Sequence, residues 1–216
     1  MIQVHKLVFN AFQENTIILS DETGKALIID PGCYDRVEQQ YLKSYIENNR
    51  LNPILLLNTH CHIDHVLGNY FVMQEYKLDL AIHQADLDTL LSVANYAHVY
   101  GFNGYQPSPE PTRFVKEGEK IQFGNSEVEV LFAPGHCPGH VAFYSVENHF
   151  VINGDILFRG SFGRTDLPGG DFQTLKNSIL TTMFVLPDDT IVYCGHGPET
   201  TIGEEKRNNP IRYMEA

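Results

Sequence analysis

No stretch of this 216-residue chain is apolar for long enough to cross a bilayer, which removes transmembrane function first. Its start, Met1-Ile2-Gln3-Val4-His5-Lys6-Leu7, lacks a basic region followed by a long apolar stretch, so no secretory signal is expected and a cytoplasmic protein is. Basic residues are scarce: 15 Lys and Arg stand against 27 Asp and Glu, a formal net charge of -12. A nucleic-acid or anionic-membrane partner needs a basic face, so neither is expected. Cysteine is sparse as well. Cys33, Cys61, Cys137 and Cys194 do not make a disulfide framework in a chain of this size. Linkers, low-complexity tracts and repeats are missing too. These absences leave one compact domain over residues 1–216, with 43% hydrophobic residues to build its core.

What the chain does have is histidine in one place. Thr59-His60-Cys61-His62-Ile63-Asp64-His65 puts three imidazoles and a carboxylate into six consecutive residues. Neutral imidazole nitrogen and carboxylate oxygen are the donors a borderline cation such as zinc prefers. In an extended or tightly turning loop after a strand, His60 and His62 can point the same way while Asp64 and His65 lie further round the turn. That serves two neighbouring metal positions better than one. Downstream, His136 sits in Ala133-Pro134-Gly135-His136-Cys137-Pro138-Gly139-His140, Asp155 in Ile152-Asn153-Gly154-Asp155, and His196 in Tyr193-Cys194-Gly195-His196-Gly197. Each follows a β-rich apolar segment and is bordered by Gly or Pro, where a strand ends and a tight loop can aim a side chain.

The periodicity of the chain predicts elements that would position these groups. Residues 2–9, 15–19 and 26–29 read as strands, with a hairpin-like turn at Asp21-Glu22-Thr23-Gly24 and a stop at Asp30-Pro31-Gly32. Residues 35–49 carry Val37, Tyr41, Leu42, Tyr45 and Ile46 at near-helical spacing. Residues 54–57 form an apolar run typical of a strand buried on both faces, and residues 67–76 read as a helix. In the second half, strands over 126–132, 141–146, 150–152 and 190–193 lead toward His136, Asp155 and His196. Helices are expected over 86–100, over 171–184 with Asp171 as its cap, and over 199–207. Residues 101–111 form a long Gly-, Pro- and aromatic-rich loop. If it covers the site, Tyr100, Phe102 and Tyr105 would touch substrate.

The order H-x-H-x-D-H, then His, Asp and His, resembles the metallo-β-lactamase superfamily over nearly the whole chain, and within it the glyoxalase II-like hydrolases. The resemblance implies an α/β fold, a four-layer αββα sandwich. It implies that His60, His62 and His136 hold one divalent ion, that Asp64, His65 and His196 hold a second, and that Asp155 bridges them, with Asp64 also the candidate catalytic residue. Zinc is the first choice for both ions, and the ligands also suit iron or manganese. Asp30 matches an acidic residue that orients a ligand, and His140 is read as a structural hydrogen-bonding group. Three cysteines beside the ligands are read as small apolar fillers. Arg164 and Asp166, in a Gly163-Arg164-Thr165-Asp166 segment that resembles both glyoxalase II-like and persulfide dioxygenase-like members, are expected to pair, the alternative being that Arg164 or Arg159 binds a substrate carboxylate. The implied reaction is hydrolysis of a small-molecule thioester, such as a 2-hydroxyacyl-glutathione, by a metal-bound hydroxide. The larger glyoxalase II enzymes continue into a helical domain that supplies glutathione-binding residues. This sequence shows no such domain, which leaves the thiol carrier open. The alternatives are a mononuclear iron persulfide dioxygenase and a metal-stabilised binding protein without turnover. A β-lactamase ranks below these. The oligomeric state is open.

Overall fold

The computed structural model describes residues 1–214. A first six-stranded sheet contains β1 (Gln3–Phe9), β2 (Glu14–Ser20), β3 (Lys25–Ile29), β4 (Asn52–Leu57), β5 (Leu80–His83) and β6 (Arg113–Val115), in that order. Its first three strands pair antiparallel and the rest parallel. The parallel pairs are joined by helices, since a chain that re-enters a sheet in the same direction needs a long crossover. These are α1 (Arg36–Asn48) between β3 and β4, and α2 (Ile63–Val66) with α3 (Asn69–Tyr76) between β4 and β5. A fourth, α4 (Leu87–Tyr96), separates β5 from β6.

The second half builds β7 (Lys120–Phe123), β8 (Ser126–Phe132), β9 (Val141–Ser145) and β10 (Phe150–Gly154). A two-stranded hairpin, β11 (Leu157–Phe158) and β12 (Ser161–Phe162), comes next, then α5 (Phe172–Ser178), β13 (Ile191–Cys194), β14 (Thr200–Thr201) and α6 (Ile202–Asn208). The second sheet runs β14-β13-β10-β9-β8-β7, with β10 and β13 parallel.

Strand alternation explains the layers. In β2 and β3, Ile17, Leu19, Leu27 and Ile29 point inward and meet Val130, Phe143 and Ile152 of the other sheet. The intervening Ile18 and Ile28 point outward, where Leu42 and Ile46 of α1 and Val93 of α4 cover them. On the far side, Ala142, Val151 and Val192 pack against Leu175 of α5 and Ile202 of α6. Every residue of β2 is buried, as expected for a strand covered on both faces. The αββα sandwich is therefore the observed architecture. No helix among the described residues is long and apolar enough to cross a membrane.

Several boundaries differ from the sequence reading. Helix α1 buries only Leu42 and Ile46, while Val37 and Tyr41 face solvent. The last helix starts at Ile202 because Thr200 and Thr201 pair with β13 and the Thr201 side chain caps Glu204. Asp171 does cap α5 through the Thr174 N–H, but the helix then widens into a π-helical turn over Ile179–Met183. Strands β5, β6 and β7 and the β11–β12 hairpin were not legible from periodicity. They are two to four residues long, too short for a pattern to repeat.

The inter-sheet layer should dominate stability. Phe143→Ala is expected to cost about 3–5 kcal/mol, whereas Val37→Ala, on the exposed face of α1, should stay within about 0.5 kcal/mol. Urea titration followed by circular dichroism distinguishes the two.

Candidate metal centre

The site is built where strand ends from both sheets meet, and Asp30 is its first anchor. It follows β3 in the left-handed region, at φ 51°, which turns its carboxylate under the end of β4. Oδ1 accepts the Thr59 N–H at 2.7 Å, and Oδ2 accepts the Thr59 hydroxyl at 2.5 Å and His65 Nδ1–H at 3.2 Å. The chain then folds into α2, so Asp64 and His65 lie on a helical turn instead of the expected loop. Asn58 closes that turn by donating to the His65 carbonyl at 3.1 Å.

The same device fixes four imidazoles. A ring nitrogen bound to hydrogen must find an acceptor when buried, and the other nitrogen then presents a lone pair. Because the Thr59 hydroxyl gives its proton to Asp30, it accepts from His60 Nδ1 at 3.0 Å. His65 Nδ1 donates to Asp30, His136 Nδ1 to the Arg164 carbonyl at 2.7 Å, and His196 Nδ1 to the Phe12 carbonyl at 3.0 Å. All four rings therefore turn Nε2 inward. His62 differs: its Nδ1 faces His136 Nε2 at 2.8 Å.

Asp155 lies where these nitrogens converge. Its Oδ1 is 3.5 Å from His65 Nε2, and its Oδ2 is 3.8 Å from His136 Nε2 and 3.6 Å from His196 Nε2. Asp64 Oδ2 stands 3.0 Å from His196 Nε2 and 3.6 Å from His65 Nε2. Gly154 allows this placement. Its φ is +54°, and a Cβ there would meet Thr59 Oγ1 at 2.3 Å and His140 Nε2 at 2.6 Å. His140 takes the structural position expected of it, accepting the Asp155 N–H at 3.3 Å and stacking on His60 at 4.5 Å.

Electrostatics follow from burial and charge. Burial, then the neighbouring imidazoles, pushes His60 well below the ordinary histidine range. Burial and His136 push His62 down to about 3. Burial opposes charge on His65 as well, but Asp64 and Asp155 hold its pKa well above the usual value. Burial would raise the Asp155 carboxyl, yet His65 first, then His136 and His196, hold it well below the carboxylate range.

The donor set fits divalent cations. His60 Nε2, His65 Nε2 and Asp155 Oδ1 are buried and have no hydrogen-bond partner, a costly arrangement unless something binds them. Donor atoms of His60, His62 and His136 lie within 4.8 Å of one another, as do those of Asp64, His65 and His196. These are the two trios that the sequence resemblance implied. Asp30 also clusters with His60 and His65, but both its oxygens already accept hydrogen bonds, so it acts as the orienting group.

Other expected residues fall into place. Arg164 and Asp166 form an exposed two-pronged pair at 2.7 and 2.8 Å. All four cysteines are buried, and burial raises their thiol pKa values. The 101–111 loop corrects one expectation. Phe102 is buried, its ring 4.8 Å from Tyr34 and 5.9 Å from Phe12, so it is core and not a substrate contact. Tyr105 bonds Ser108 within its own loop, while Tyr100 stays half exposed beside Phe12.

Three features escaped sequence reading: the Phe12 carbonyl, the buried Glu14 whose Oε1 lies 4.0 Å from His65 Nδ1, and Asn15. The signal for two of them was a polar Glu-Asn-Thr triplet opening an otherwise apolar strand.

Comparison with known proteins agrees with this geometry. Residues 9–196 match the family described as the Metallo-beta-lactamase superfamily. The chain is similar to hydroxyacylglutathione hydrolase GloC of Haemophilus influenzae, 38% identical over 202 residues that cover 93% of each sequence. Among solved structures it resembles TTHA1623 in a di-iron-bound form (39% identical, TM-score 0.86, covering 96% of this chain and 99% of that one). It also resembles the BLEG-1 B3 metallo-beta-lactamase, 30% identical with a TM-score of 0.84, covering 97% and 98%.

Two carboxylates at this centre should respond differently to removal. Asp155→Ala is expected to lower metal content and turnover together, because its oxygens face both trios. Asp30→Ala should weaken metal affinity by about 10–100-fold, since it acts through His65 and Thr59. Elemental analysis of the purified variants after dialysis checks both outcomes; full metal content in Asp155→Ala would exclude a bridging role.

Proposed function

The chain belongs to the metallo-beta-lactamase superfamily, and on that premise we propose that it hydrolyses thioesters, with 2-hydroxyacyl-glutathiones as the substrate class. The observation that carries this reading is Asp155 set between two inward-facing donor trios. His60, His62 and His136 would hold one cation, Asp64, His65 and His196 a second, and Asp155 would face both. Two zinc ions suit the ligands best, and the di-iron-bound relative supports iron as the other choice. Such a pair supplies Lewis acidity toward a carbonyl oxygen and lowers the pKa of water toward neutrality.

The chain's own groups do the rest. Neutral imidazoles ligate without adding negative charge, which keeps the centre electrophilic. Asp64, whose Oδ2 lies 3.0 Å from His196 Nε2, would be the residue to take the proton of the attacking water. No side chain serves as nucleophile: Cys61 and Cys137 are fully buried, with thiols pushed well above the ordinary range by burial and then by Asp86. A thiolate leaves readily, so no strong general acid is needed at the sulfur. The GloC similarity supports a glutathione thioester as the substrate.

Anaerobic hydrolysis of lactoyl-glutathione, followed by loss of thioester absorbance, tests the reading. Turnover without oxygen is expected, and Cys61→Ala and Cys137→Ala should retain it. Failure, together with oxygen-dependent sulfite formation from glutathione persulfide, would reassign the protein as a mononuclear iron persulfide dioxygenase.

A further inference from the structure

Behind the donor trios lie two groups of buried contacts, and each ties the sheets together at a different point. Asp86 closes the short helix after β5 and is fully buried. No cationic side chain among the described residues pairs with it. Its Oδ2 accepts the Cys61 N–H at 2.6 Å, and its Oδ1 accepts the Gly139 N–H at 3.1 Å and the Thr89 hydroxyl at 3.2 Å. Cys61 lies between His60 and His62 in the loop after β4. Gly139 lies three residues after His136 in the loop between β8 and β9 of the other sheet. The approach is close: a Cβ on Gly139 would stand 2.4 Å from the Asp86 backbone nitrogen. A carboxylate stripped of water is costly unless its oxygens are well bonded. Here the two backbone donors come from the two loops that carry the first trio, so the carboxylate sets the separation of those loops.

The second tie is Asn15 on β2, also buried. Its amide donates to the carbonyls of Cys194 and Gly197, both at 2.9 Å, and its N–H donates to Gly195 at 2.7 Å. These bonds bracket His196, whose Nδ1 is held by Phe12 three residues before Asn15. None of them reaches His60, His62 or His136.

We propose that Asp86 is a positioning residue for the His60, His62 and His136 trio alone. Asn15 is its counterpart for the other trio, acting through His196, so beside Asp30, which serves both, each cation site has a tie of its own and the two can be weakened separately. This rests on the reading that both trios bind cations.

The test uses cadmium-113 as the probe ion on the full chain, with stepwise affinities from chelator competition and one NMR resonance per site. His136→Ala and His196→Ala assign the two resonances. Asp86→Asn is expected to weaken the His136-linked ion by about 10–100-fold and leave the other unchanged, and Asn15→Ala to do the reverse. Thr89→Val removes only one donor to Asp86 while keeping the shape. It should weaken the His136-linked ion by a smaller factor, and it serves if Asp86→Asn does not fold. Equal weakening of both ions, or of neither, in whichever Asp86-site variant folds would overturn the proposal. A wild-type chain that binds a single cadmium ion would instead remove the two-cation reading, before any variant is made.

Discussion

Buried nitrogen and oxygen atoms without partners are costly, and this structure is organised around gathering several of them in one place. Four imidazoles each give their proton-bearing nitrogen to a fixed acceptor: Thr59, Asp30, the Arg164 carbonyl and the Phe12 carbonyl. The free nitrogens then have little choice of direction. Without a cation, His60 Nε2, His65 Nε2 and Asp155 Oδ1 stay buried without hydrogen-bond partners; with one, the arrangement becomes preorganised binding. The acceptors come from the ends of β3 and β4, a loop after the β11–β12 hairpin and a turn between β1 and β2, so no single element carries the centre.

Two six-stranded sheets supply the stiffness that this requires. The alternation that sends Leu27 and Ile29 inward and Ile28 outward locks the register of β3, and with it the position of Asp30 one residue later. A slip by one residue would exchange the faces and move the carboxylate away from Thr59 and His65 together. The apolar layers thus act at the metal centre through geometry.

The sequence displayed the candidate donors more clearly than their supports. The H-x-H-x-D-H string and the Gly-bordered His136, Asp155 and His196 are legible because several donor types stand close together or after apolar runs. Long strands such as β2 and β8 were legible for the same kind of reason, since a period needs length to show. What stayed hidden acts through the backbone or across long separations. The Phe12 carbonyl has no sequence signature. Asp86 reads as an ordinary residue at a helix start, and Asn15 finds its partners 179 and 182 positions away. Phe102 misled for a complementary reason: an aromatic in a Gly- and Pro-rich loop suggests a substrate contact, while the fold uses it as a plug beneath Tyr34.

The Asn15 contacts also bear on how the protein matures. As the chain is synthesised, His60, His62 and His136 emerge well before Cys194, Gly195 and Gly197 exist for Asn15 to grip. One set of donors is complete in the nascent chain while the other still lacks its last histidine and the strand that carries it. The order of synthesis thus makes one donor set available before the other, and the docking of β13 beside β10 is what brings in the last histidine.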